Sequence, residues 1–320
     1  MSEPFSPQRT IRFQSDWGGA NLTRVAGWLA QWLWESTDGG LRSVIHNGRG
    51  MGDNVRALGR GLIDIAIVTP VNVAAMALDG SGPFRDDPPV PMLRGLATLP
   101  HRDAMLAVAR RDLGLRHLSD AASSAQPLRI SMGLGDPNGF MGFAAEAVLD
   151  ASGIHLDDVL AAGGDILRHE SPFAVIDDLL EGRADIAISE AIMTPKWQQL
   201  GADGGFTFLG LSDAEERAAS ERSGLGAIGI PAGRFAGLDH SIRAVDYAGW
   251  AVLTTDRLDD EVAELIAEAV CVHAAALERH YRHIPVDGSP LTYPIIAASA
   301  ARMPLPLHPA AERVYARHSA

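Results

Sequence analysis

The chain has 320 residues, 27 basic and 40 acidic, for a formal net charge of −13. With 47% apolar and 21% charged residues, disorder is excluded as its main state, and the length suits two lobes better than one core. The acidic balance disfavours nucleic acid and anionic lipid as partners, and the single cysteine, Cys271, excludes an internal disulfide or a cysteine-based metal cluster.

Residues 1–10 lack the apolar core of a signal peptide. Both a cytoplasmic protein and one whose leader has been removed are therefore expected readings. The uncharged run 65–78, which none in the chain exceeds, is broken by Pro70 and Asn72 and falls short of the roughly 18 apolar residues that a membrane-spanning helix needs.

In chain order, 11–15 reads as a strand, followed by a turn containing Gly18 and Gly19. Leu22, Val25, Ala26, Leu29 and Leu33 then recur at helical spacing. Residues 42–46 make a second strand, 48–52 a glycine loop and 54–60 a helix. Gly61-Leu62-Ile63-Asp64-Ile65-Ala66-Ile67 closes the series, its glycine at a helix end and its Ile-rich run a strand buried on both faces.

The same series returns in the second half. Residues 128–132 form a strand, 133–139 a glycine loop, and Phe143, Ala147 and Val148 line a helix; 166–169 is a strand and 173–180 a helix. Gly182-Arg183-Ala184-Asp185-Ile186-Ala187-Ile188 then echoes the first motif. Two copies of one α/β unit are expected, lobe one spanning 1–106 and 247–320 and lobe two 107–246. Their linkers, 96–110 and 244–255, read as strands crossing between the lobes and acting as hinges. The acidic start at 256–261 opens an amphipathic helix over 258–282 that packs back on lobe one.

Four further pieces carry a family resemblance: Asp79-Gly80-Ser81-Gly82-Pro83-Phe84, Leu93-Arg94-Gly95-Leu96-Ala97-Thr98-Leu99, Gly229-Ile230-Pro231-Ala232-Gly233 and Pro304-Leu305-Pro306-Leu307-His308-Pro309-Ala310-Ala311-Glu312-Arg313. In order and spacing, over about residues 10 to 316, the chain resembles the TAXI family of extracytoplasmic receptors that serve TRAP transporters. The resemblance implies an α/β chain of type II periplasmic-binding-protein fold. It also implies two lobes on a two-strand hinge with a ligand cleft between them, a periplasmic location and TRAP membrane subunits as partners. Two loops depart from the family pattern. Gly18-Gly19-Ala20-Asn21-Leu22 stands where the family carries a Thr- and Tyr-rich loop, and Pro137-Asn138-Gly139-Phe140 where it carries Gly-Ser-Gly-Thr.

In parallel α/β sheets ligands bind beyond the carboxyl ends of the strands, where loops and helix N-termini expose amides. Arg49, with Gly50 and Met51 beside it, is placed to hold a carboxylate with its guanidinium fork; the alternative is a solvated loop arginine. Trp17, Gly18, Gly19 and Asn21 offer amides and an indole wall, or a tight turn with Asn21 as helix cap. Gly133, Asn138, Gly139 and Phe140 are their counterparts in lobe two. Their spacing, Gly-x-Gly-x-x-x-Gly, is not the dinucleotide fingerprint.

Thr69 and Asn72 follow the third strand of lobe one, and Ser189, Glu190 and Thr194 that of lobe two. They are ligand contacts or, for Thr69, Asn72 and Thr194, helix caps. Arg49 with Glu190 would suit an amino acid. His273, His280 and His283 could share a helix face as metal ligands, but a solvated face is preferred, and no metal or cofactor is expected. Tyr247 and Trp250 touch ligand or pack, and Trp28 and Trp32 read as core. The expected function is capture of a small organic acid or amino acid by a monomeric receptor, without covalent chemistry. A cytoplasmic metabolite sensor and a biosynthetic enzyme on the same scaffold are the alternatives. Against the enzyme, the chain has no Gly-x-Ser-x-Gly, His-Glu-x-x-His or P-loop motif.

Overall fold

A computed structural model describes residues 9–318 except 17, 19–20, 125, 136–138, 192–193 and 287. The chain divides into two units, one of Met1–His101, Gly249–Val286 and Leu291–Ala320, the other of Arg102–Ala248 and Asp287–Pro290.

Unit one opens with β1 (Arg9–Gln14), α1 (Asn21–Ser36), β2 (Leu41–His46), α2 (Met51–Gly59), β3 (Ile65–Val68), α3 (Val71–Ala75) and β4 (Leu93–Leu99). Unit two follows with β5 (Ala104–Arg110), β6 (Arg129–Gly133), α4 (Phe140–Ala151), α5 (Leu156–Ala161), β7 (Asp165–His169) and α6 (Pro172–Leu180). It continues through β8 (Ile186–Glu190), α7 (Thr194–Asp203), β9 (Phe206–Leu209), α8 (Asp213–Ser223), β10 (Ala227–Ile230) and β11 (Ile242–Asp246). The chain then returns to unit one as β12 (Trp250–Thr255), α9 (Asp260–Val272), α10 (Ala274–Glu278), α11 (Ala297–Ala300) and α12 (Pro309–His318).

The first sheet has the order β2-β1-β3-β12-β4, the second β10-β11-β5-β8-β6-β7 with β9 also beside β5. Each contains a parallel triplet, β2-β1-β3 and β7-β6-β8, flanked by one antiparallel strand, β12 against β3 and β5 against β8. The echo in the sequence is thus an echo in topology. β3 and residues 186–189 of β8 are buried throughout, as strands covered on both faces must be.

The echoed Asp has a structural role that the motif alone does not reveal. Asp64 accepts from Arg12 N at 2.8 Å, Nε at 3.0 Å and Nη2 at 2.8 Å, while its own amide donates to Arg12 O. Asp185 repeats this with Arg129, at 2.9, 3.0 and 2.8 Å, with the same reciprocal amide bond. Each aspartate staples the start of the third strand to the first and so sets the register of its triplet. Burial by itself pushes both carboxyls up; the bonds from Arg12 and Arg129 outweigh it and hold them below the ordinary range. The glycines that precede them, Gly61 (φ 69) and Gly182 (φ 72), take the left-handed conformation that ends the helix.

Three expectations need correction. Residues 258–282 are not one helix: α9 ends at Val272, His273 breaks the chain direction (φ −122, ψ 5), and α10 stops at Glu278. His273, His280 and His283 therefore share no helix face, and among the described residues no group of His, Cys, Asp or Glu could hold a metal. The helix start is also later than the acidic run suggests, with Asp259 at the N-cap position. Thirdly, the linkers are not continuous strands. Each is interrupted, at 100–103 and at 247–249, and its two halves belong to different sheets. The interruptions are tied to one another: Gly249 N donates to His101 Nδ1 at 2.8 Å, and Tyr247 N to Asp103 O at 3.2 Å.

Candidate functional site

In unit one the loops after β1, β2 and β3 converge, and buried side chains lace them together. Asp16, which is 1% exposed, closes the start of α1, accepting from Gly18 N at 3.0 Å, Leu22 N at 3.2 Å and Thr23 Oγ1 at 2.6 Å. This is the capping role expected of Asn21. Asn21 instead lies inside the helix, and its Oδ1 accepts from Arg24 Nη1 and Tyr281 Oη, both at 2.9 Å.

Asn54, fully buried, donates through Nδ2 to Ser15 O at 2.8 Å and Ile67 O at 3.1 Å, bridging the carboxyl ends of β1 and β3. Gly48 donates to Asp16 O at 3.1 Å and has no room for a side chain, since a Cβ would stand 2.1 Å from Asn54 Oδ1. Replacing Asn54 with alanine removes both bridging bonds and strands two carbonyls. A loss of about 2 kcal/mol is expected, measurable by chemical denaturation of the variant beside the parent.

Above this base, Arg49 is exposed in the loop, Gly50 precedes α2 in extended conformation (φ 169, ψ 167), and Met51 is its buried first residue. Helix α2 thus starts three residues earlier than its sequence pattern suggests. Thr69 is 7% exposed and Asn72 exposed; the N-cap of α3 is Pro70, so neither residue caps it. Gly18 stands against Asn47, with its Cβ position 2.6 Å from the amide. Trp17 and Gly19 lie outside the described residues.

Unit two presents the corresponding edge. Gly133 ends β6, and Leu134 N donates to His169 O at the end of β7 at 3.0 Å. Glycine is required here by backbone packed on backbone: a Cβ on Gly133 would lie 2.5 Å from Gly142 N, and one on Gly139 2.5 Å from Leu134 O. Gly139 precedes α4 and Phe140, its first residue, is 1% exposed. Ser189 is fully buried with Oγ 3.5 Å from Met141 Sδ. Glu190, half-buried at the end of β8, accepts Trp197 Nε1 on its carbonyl at 3.1 Å. Asn138 and the side chain of Thr194 lie outside the described residues; Thr194 begins α7.

Beside Glu190 opens a pocket of about 270 Å³ that the sequence reading missed. Arg102, Asp103, Ala191, Arg234 and Phe235 line it together with the Gly229-Ile230-Pro231 segment. Asp103 is 4% exposed and accepts Ala104 N at 2.7 Å, and the Arg234 guanidinium lies 5.8 Å from the Phe235 ring. Behind it Tyr247 is buried. Desolvation, and then the charges of Glu190 and Asp103, push its phenol well above the ordinary value, so it is a neutral hydroxyl.

Each triplet therefore carries its sequence-predicted residues to one carboxyl edge: Gly18, Asn21, Arg49, Gly50, Met51, Thr69 and Asn72 in unit one, Gly133, Gly139, Phe140, Ser189 and Glu190 in unit two. Such an edge can offer amides, a fixed cation and a carboxylate to a small polar molecule.

Residues 24–317 match the model of the NMT1-like family. No curated protein matches in sequence. Among solved structures, the chain is similar to PhnD1 from Prochlorococcus marinus in complex with methylphosphonate, at 10% identity and TM-score 0.54, covering 88% of this chain and 89% of that one. It is similar to the periplasmic binding protein BugD at 13% identity and TM-score 0.54, covering 98% and 94%. MatC from Rhodopseudomonas palustris with bound malate matches at 14% identity and TM-score 0.54, covering 98% of each chain. The two-sheet α/β architecture is that of a type II periplasmic binding protein. None of the described helices is long and apolar enough to cross a membrane.

Proposed function

Since the chain belongs to the NMT1-like family, we propose that it is a solute-binding receptor of a TAXI-type TRAP transporter. It captures a small organic acid or amino acid in the periplasm, as a monomer, and presents it to the membrane subunits. The observation that carries this reading is the doubled triplet, whose carboxyl edges present Arg49 in one unit and Glu190 in the other. Arg49 receives the ligand carboxylate, Glu190 an ammonium where the ligand has one, and amides of both glycine loops complete the shell. Closure of the two units on the ligand excludes water and strengthens those bonds; nothing covalent occurs. PhnD1 with methylphosphonate and MatC with malate both hold small anions, which supports an anionic ligand here.

The test is a thermal-shift screen of amino acids, dicarboxylates and aromatic acids, followed by calorimetry on the hits. A true ligand at a hundredfold excess over its Kd stabilises the protein by about 2.7 kcal/mol. Arg49→Ala should weaken any carboxylate ligand roughly tenfold or more, and Glu190→Gln should weaken only ligands that bear an amine. A screen in which no acid stabilises the protein overturns the proposal.

A further inference from the structure

We propose that unit one carries a second ligand site, for a multiply charged small anion such as a phosphate ester or polycarboxylate, in the groove between α1 and α10. The groove has a volume of about 750 Å³ and is lined by Arg24, Gly27, Trp28, His273, Arg279 and His280. It is separate from the receptor reading, since it is built from helix faces rather than strand ends, and it stands or falls alone.

Charge is the first argument. The chain has 40 acidic residues for 27 basic ones, yet neither Arg24 nor Arg279 makes an ion pair among the described residues. Both line one groove, together with two imidazoles. Glu35, the one carboxylate that also lines it, accepts Gln31 Nε2 at 2.8 Å and offsets one of the two positive charges, so the groove stays net positive. A doubly charged anion can pair with both exposed guanidiniums at once, giving each a full negative charge, which a monocarboxylate lacks.

The groove is also built. Arg24 is fixed by Asn21 Oδ1 at 2.9 Å and stands 6.0 Å from the Tyr281 ring. His273 is stacked on Trp32 at 4.7 Å, and Trp32 is itself anchored by Nε1 donating to Leu265 O at 2.8 Å. Trp28 is 5% exposed, and its Nε1 finds no hydrogen-bond partner among the described residues. Gly27 sits inside α1, where alanine would make the more stable helix, and a Cβ there would meet nothing within 4 Å. At Gly27 the groove is therefore open down to the α1 backbone, with room there for a bound molecule.

The probes are pyrophosphate and citrate, with acetate as the singly charged control, titrated into the full chain by calorimetry and by tryptophan fluorescence. Pyrophosphate or citrate is expected to bind and alter the emission, and acetate is not. Arg279→Ala should weaken binding roughly tenfold or more. Gly27→Ala should raise the Tm of the ligand-free protein and still weaken binding, an opposition that a purely structural glycine would not produce. The proposal is overturned if neither probe binds, if acetate binds as tightly, or if binding survives both substitutions unchanged in proteins whose melts show them folded.

Discussion

Asp178→Ala is expected to cost about 3 kcal/mol, since it removes a buried carboxylate that three side chains contact and leaves a buried hydroxyl unpaired. The carboxylate is 1% exposed and ties together three parts of unit two. Ser131 Oγ on β6 donates to it at 2.8 Å, His169 at the end of β7 lies 2.6 Å away, and Arg183 Nε beyond α6 donates at 2.6 Å. Alanine strands the fully buried Ser131 hydroxyl, while the partly exposed His169 and the exposed Arg183 lose a partner but keep water. Burial by itself raises the carboxyl's pKa, but the bonds from Arg183, Ser131 and His169 outweigh it, so the folded value lies below the ordinary one. The sign follows: this stabilisation is fully present above the unfolded carboxyl's pKa of about 3.9 and is lost as pH falls through the lower folded value. Hydrogen exchange of the β6 to β8 amides at neutral pH, repeated in acid, measures both effects. A variant as protected as the parent would refute the assignment.

Gly142→Ala is expected to cost about 3 kcal/mol, a large effect for one methyl group. Its Cβ would stand 1.7 Å from Leu134 O and 2.9 Å from Gly133 O, so backbone rather than a flexible side chain must move. The part that yields is the backbone at Gly133 and Leu134, where the loop bordering the proposed receptor site begins. Ligand affinity should therefore fall together with stability. Denaturation and calorimetry on one preparation test the pair, and unchanged affinity in a destabilised protein would place the ligand away from that loop.

The doubled unit was legible because its cues are local. A glycine past each helix and an apolar run after it repeat at Gly61 and Gly182, and periodicity found the helices around them. The pattern could not show which side chains hold the loops. Asp16 and Asn54 act on backbone groups up to 39 residues away, and no spacing rule reveals such bonds. Asn21 does not cap although Asn at a helix start normally does, because Asp16, reaching across the turn, accepts the Leu22 amide instead. The break at His273 escaped because apolar spacing continues through it, with Val270 and Ala274 both buried. The pocket at Arg102 and Arg234 joins segments distant in sequence, and nothing in the composition of one marks the other as its neighbour.

The placement of β12 has a consequence for the order in which the protein is made. Among the described strands β4 pairs only with β12, which also covers the free edge of β3. A nascent chain must therefore hold β1 to β4, residues 9–99, with the strand that joins β3 to β4 still untranslated while the ribosome makes every strand of unit two. The strands of unit two all fall between Ala104 and Asp246, so they can close into their sheet as they emerge. Unit one, though begun first, is finished last, and its exposed strand edge during that interval is where a chaperone would be needed.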